Sequence, residues 1–143
     1  MKISQPLASK AAAALLLFFV FACGPSNKEL IVGTWTGTDF SFEQTEGPDL
    51  ADLVKGGEKL HINGKLILEQ TGTYIISTAD DVINGKGTWE IKGDEFTMID
   101  EQDNEVVYEI IDLSEAEMTT LHEVKMETPL GNLAGKITLT YKK

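Results

Sequence analysis

Reactive side chains are scarce in this chain. It has one cysteine, Cys23, two histidines, His61 and His122, and a dense carboxylate run from Asp100 to Glu105. Nucleophilic hydrolysis would need a histidine beside a serine held on a sharp glycine-flanked turn, and no serine here has that setting. Both histidines fall within alternating strand patterns and read as surface or pocket-lining groups. The run Asp100-Glu101-Gln102-Asp103-Asn104-Glu105 offers the oxygen ligands that calcium takes. It lacks the glycine at the sixth position of an EF-hand loop, and Ile111 stands where that loop places its bidentate glutamate. A solvated hairpin turn is therefore the reading, with calcium as the alternative; Asp80-Asp81 is a weaker instance of the same pattern. No catalytic residue, metal or cofactor is expected, and the chain does not read as an enzyme.

Cys23 closes the run Ala11–Ala22, AAAALLLFFVFA, which holds no charged or polar side chain and follows Lys2 and Lys10. Such a run is too short to cross a bilayer as a helix, which takes about 20 residues, and it matches the apolar core of a cleaved signal. The segment resembles a bacterial lipoprotein signal peptide, with Val20-Phe21-Ala22-Cys23 as lipobox; Phe21 stands where a smaller residue is usual. The resemblance implies cleavage after residue 22 and a Cys23 that carries a diacylglyceryl group on sulfur and a fatty acyl group on nitrogen. Each buried methylene adds about 0.8 kcal/mol of membrane affinity, so several chains anchor a protein almost permanently. Zinc, which wants three or four Cys, His or carboxylate ligands, then loses the one thiol to lipid. An ordinary secretory signal with an incidental Cys23 is the alternative. Residues 23–29 read as lipidated cysteine and polar tether (Ser26, Asn27, Lys28, Glu29). Gly24 rather than aspartate follows the cysteine, which implies the outer membrane and leaves periplasmic and surface faces open.

Removing residues 1–22 leaves 121 of 143 residues, one domain that can bury a core without disulfides. The loss of Lys2 and Lys10 takes the formal charge from −11 to −13, and no arginine occurs anywhere. Nucleic acid is excluded as a partner, because binding it rests on Lys and Arg neutralising phosphates. A solvated acidic surface that keeps the protein soluble and off anionic head groups is the reading of that charge.

From Ile31 onward the pattern alternates with period two and is broken by turn residues. The alternation predicts strands at Val32–Phe42, Lys59–Gln70 (with a possible break at Asn63-Gly64), Thr73–Thr78, Gly87–Lys92, Glu95–Asp100, Glu105–Leu113, Glu117–Met126 and Lys136–Lys142. Gly93-Asp94 marks a tight hairpin. Eight strands joined by short turns predict an all-β, antiparallel up-and-down barrel over residues 30–143, since eight close a small barrel and remove its edges. An open sandwich is the alternative. One helix of about two turns is predicted in the first long loop: Asp49 caps it, Leu50, Leu53 and Val54 share a face, and Gly56-Gly57 stop it. It reads as a lid over the barrel mouth or as a plug in it.

Gly33-Thr34-Trp35 at the start of the first strand resembles the G-x-W signature of lipocalins, and Gly72-Thr73-Tyr74 and Gly87-Thr88-Trp89 repeat its texture at strand starts. The chain is similar to the small lipocalin-like domains of Gram-negative lipoproteins over roughly Leu30–Lys143. The resemblance implies a barrel whose Trp35 packs across the closed end. Lipocalins stack an arginine near the last strand on that tryptophan; here only Lys142 or Lys143 can take the place. The T-D-Y-type motif of the sixth-to-seventh strand turn is also missing.

Trp35, Tyr74, Trp89, Phe96 and Tyr108 are the candidate ligand-binding residues, with Tyr141 a further aromatic in a strand. If these rings line a cavity they contact an apolar guest; if they fill it they are core. The first expectation is thus a lipid-anchored, non-enzymatic envelope protein whose barrel binds a small apolar or amphipathic ligand. A solid barrel that contacts another envelope protein is the alternative, and so is an enzyme inhibitor that uses a protruding Glu127–Gly135 loop. The discriminator is cavity volume.

Overall fold

The computed structural model describes residues 24–49 and 51–143. The apolar leader, Cys23 and Leu50 lie outside the described residues, and with them the expected cleavage and acylation sites. The described chain runs α1 (Asn27–Ile31), β1 (Gly33–Glu46), α2 (Ala51–His61), β2 (Lys65–Leu68), β3 (Thr73–Ser77), β4 (Ile83–Lys92), β5 (Glu95–Asp100), β6 (Glu105–Leu113), β7 (Glu117–Thr128) and β8 (Gly131–Lys142). Each strand pairs antiparallel with the next, and β8 returns to β1, so the sheet is a closed barrel. Closure removes the unpaired edges that would otherwise template association.

The two ends of the barrel differ. At the closed end, α1 lies across the opening. Ser26 and Glu29 form a reciprocal capping box that holds this short turn, and Asn27 Nδ2 donates to the Gly93 carbonyl at 3.1 Å. Ile31 and Trp35 are fully buried, and the indole Nε1 of Trp35 donates to the Ile31 carbonyl at 2.7 Å. Leu68, Phe96 and Met118 complete this packed layer. The glycine of the G-x-W triplet has two reasons to be there. Its φ is +141°, and a Cβ would collide with Cε of Lys143, whose stem crosses it.

At the other end β1 loses β2. It pairs with β2 only over Gly33–Thr36 and with β8 from Thr36 to Glu46, with Thr38 left unpaired as a bulge. The gap is bridged where α2 ends: Gly37 N–H donates to the Gly64 carbonyl and Asn63 N–H to the Gly37 carbonyl, both at 2.9 Å. A Cβ on Gly37 would strike the His61 carbonyl, so only glycine lets the end of α2 approach this closely.

Several sequence-based boundaries are corrected. The helix does not stop at Gly56-Gly57 but continues to His61. Two helical glycines cost about 1 kcal/mol each. Tertiary contact offsets that cost, since Gly57 faces the Phe40 ring and His61 packs on Tyr141. The stop comes at Asn63, whose φ of +59° breaks the helix. Lys59–Gln70 is consequently not one strand: Lys59–His61 belong to α2 and only Lys65–Leu68 form β2. The polar segment read as a tether carries α1. Glu127–Gly135 is not a loop but the paired tip of the β7–β8 hairpin. Strands β7 and β8 pair down to Thr128 and Gly131, and Gly135 is where the Phe42 ring lies against the backbone.

Candidate functional site

The interior is filled at the closed end and opens toward α2. Beneath the last turn of α2 lies a cavity of about 50 Å³. Its walls are Leu60 and His61 from α2, Gly64, Lys65 and Leu66 around the start of β2, Ile76 and Ser77 from β3, Met98 from β5, Tyr108 from β6 and Tyr141 from β8. Five strands and one helix therefore converge on it. The pleat explains the choice of strand residues: Leu66, Ile76, Met98 and Tyr108 share the inward face with buried neighbours two positions away, Leu68, Tyr74, Phe96 and Ile110, and Tyr141 shares it with partly buried Leu139.

His61 forms the polar corner of the cavity. Its Nε2 lies 3.0 Å from the Thr140 carbonyl, and because a carbonyl only accepts, Nε2 carries the proton and Nδ1 is free of it in the neutral ring. The imidazole meets Tyr141 edge to face at 4.7 Å and lies 6.4 Å from Phe40. Burial holds its pKa below the usual imidazole value, against the opposing pull of the Thr140 carbonyl and of Asp39. Burial likewise pushes the Tyr108 phenol up to about 12 and the Tyr141 phenol upward. At neutral pH the cavity wall thus holds protonated phenols, a neutral imidazole and the Ser77 hydroxyl set among aliphatic groups. Lys65, the one charged lining residue, directs its Nζ to Asp81 at 2.6 Å. On the inward face of β7, Thr120 is 1 % exposed; among the described residues its Oγ1 is the one buried side-chain polar atom without a partner.

The five candidate aromatics separate. Trp89, Phe96 and Tyr108 form a row of rings with centroid separations of 6.3 Å and 5.8 Å, extended by His122 at 5.2 Å from Tyr108. Trp35 belongs to the closed-end layer, and Trp89 Nε1 is tied to the Glu69 carbonyl at 3.1 Å. Tyr74 is buried opposite Gly87. Of the five only Tyr108 lines the cavity. Leu60, Ile76, Ser77 and Met98 were not among the candidates; Tyr141 was visible as a strand aromatic, and His61, read as a surface or pocket-lining group on a strand, reaches the site from the end of a helix that the glycine pair concealed. The carboxylate run at residues 100–105 is the β5–β6 turn: Asp100 accepts from the amides of Gln102 and Asn104 and from the Asn104 side chain at 2.8–2.9 Å. Among the described residues no group of three or more His, Cys, Asp and Glu is placed to hold a metal ion.

Lys143 takes up the cationic position over the signature tryptophan. Its Nζ sits 4.6 Å from the Trp35 ring centroid and donates to the Leu30 carbonyl at 2.7 Å. No curated protein matches the chain. The family model of the lipocalin-like domain matches residues 31–120, from the last residue of α1 into β7. With its closed eight-stranded barrel, its G-x-W strand start and its capped tryptophan, the chain belongs to the lipocalin-like domain family.

Proposed function

We propose that this protein is a non-catalytic, lipid-anchored binding protein of the Gram-negative outer membrane, whose barrel takes one end of a small apolar or amphipathic molecule. The observation that carries the reading is the cavity beneath α2, where neutral polar groups (the Tyr108, Tyr141 and Ser77 hydroxyls and the His61 ring) are set into an aliphatic wall at the one end of the barrel that is not packed shut. Such a surface rewards shape, apolar area and a hydrogen bond or two rather than charge. Family membership supports binding over catalysis, and the leader with Cys23 supports the anchor.

The volume sets the size of the guest. Pockets that enclose whole drug-sized ligands span roughly 300–1,000 Å³, whereas this one offers about 50 Å³. It therefore accepts the tip of a chain, with the rest of the molecule outside or α2 displaced. That same small volume favours a second reading, a filled barrel that serves as an interaction module and uses exposed Val82, Ile83 and Leu130. Native mass spectrometry of residues 24–143, followed by organic extraction, separates the two. A defined mass that leaves on denaturation supports binding; a clean apo mass, with no gain on incubation with envelope lipid extract, refutes it in favour of the filled barrel.

A further inference from the structure

The fold fixes the chain to the closed end immediately after Cys23. Only Gly24 and Pro25 separate that residue from Ser26, whose hydroxyl and amide form the capping box of α1. The segment from Ser26 onward is then held at the closed end by four contacts from different parts of the barrel. These are Asn27 to Gly93 and Asp94 on the β4–β5 turn, Lys143 to the Leu30 carbonyl, and Trp35 to the Ile31 carbonyl. Three peptide steps span at most about 11 Å, so whatever holds Cys23 also holds the closed end.

We infer that the closed end rests on the anchoring membrane and that the cavity mouth faces away from it. The inference builds on the lipid-anchor reading of Cys23. Strand β4, at ten residues, rises about 25 Å along the barrel axis for a strand tilt near 40°, and this separates the mouth from the head groups. A guest of the cavity consequently arrives through the aqueous phase or from an apposed surface, not by sliding from the leaflet that holds the anchor.

The test uses the full chain expressed in a Gram-negative host, purified from its membranes and reconstituted into vesicles of phosphatidylethanolamine and phosphatidylglycerol containing a nitroxide head-group lipid. Lipidation consumes Cys23, so a single fluorophore is placed at Glu115→Cys on the β6–β7 turn or at Gln102→Cys on the β5–β6 turn, both exposed sites at opposite ends. The expected result is loss of most of the emission at position 115 with nearly full emission at 102. Equal quenching, or stronger quenching at 102, overturns the orientation. A purified protein whose mass lacks the lipid on Cys23 overturns the anchor reading itself, and the mass is read before the optical experiment.

Discussion

Lys143 is the sharpest point at which the physical account can fail. Its ammonium lies over the face of a tryptophan that is fully buried and 4.6 Å away, well inside the 6 Å or so at which a cation and a ring attract. It also donates to the carbonyl of Leu30, one of the last carbonyls of α1, at 2.7 Å, where a positive charge complements the helix terminus. The substitution Lys143→Met keeps the aliphatic stem that packs on Gly33 and removes only the charge. An exposed cation–π contact is worth about 0.5–1 kcal/mol and a terminal charge–carbonyl interaction about 0.3–1 kcal/mol when solvent screens it. The combined loss is about 1–1.5 kcal/mol, or roughly 5 °C in Tm for a domain of this size.

Urea unfolding followed by tryptophan fluorescence measures the loss directly. Lys143→Arg should match or exceed the native chain, because a guanidinium stacks on an aromatic face better than an ammonium does. Trp35→Phe should shrink the effect of Lys143→Met, which makes the pair a double-mutant cycle. A cost under about 0.3 kcal/mol, the scatter of additivity between independent sites, or the same cost in the Trp35→Phe background would refute the assignment of Lys143 to the role that arginine holds in lipocalins.

Gly33→Ala should destabilise by about 2–3 kcal/mol in the same assay, since it forces a side chain into φ +141° and onto the Lys143 stem. Gly56→Ala should do the reverse and stabilise by about 1 kcal/mol, because a Cβ there meets nothing within 4 Å and the helix gains a better former. An unfolded tyrosine ionises near pH 10 while folded Tyr108 holds its proton to about 12; stability present below pH 10 is therefore lost progressively between those values. Phenolate absorbance at 295 nm should rise together with the loss of near-UV dichroism, and a rise at pH 10 with dichroism intact would refute this. His61 has a lowered pKa when folded, so the unfolded chain binds more protons below about pH 6.5 and stability falls as pH drops through that value. The urea midpoint should decrease from pH 7.5 to 5.5, and His61→Phe should flatten that slope.

The strands were legible where local chemistry decides them. Glu95–Asp100 and Glu105–Leu113 lie where alternation and turn residues place them. The hairpin at Gly93-Asp94 follows from a turn dipeptide, with Gly93 at φ +63°. Trp35 at the closed end followed from the family signature. What stayed hidden depends on contacts between distant residues. Gly56-Gly57 and Gly135 carry the local signals of a stop and a loop, yet Gly57 continues a helix against Phe40 and Gly135 continues a strand under Phe42. At Gly135 the missing side chain makes room for the Phe42 ring, and at Gly57 the helix is carried on by packing on Phe40; no window of neighbouring residues reveals either contact. By the same misreading His61 was expected in a strand, whereas it lies at the end of α2.

That displacement bears on function. In an eight-stranded barrel the interior just holds side chains, and this one spends its largest rings on closure: Trp35, Trp89 and Phe96 pack the end that α1 covers. The opposite end is built differently. There β1 separates from β2, a helix with two glycines spans the gap, and the facing groups are phenols, an imidazole and a serine rather than more tryptophan. Filling a core needs none of those polar atoms, and each buried donor is costly unless it has a partner. The asymmetry leaves the α2 end as the part of the interior that large rings do not fill, and it is there that the proposed guest would enter.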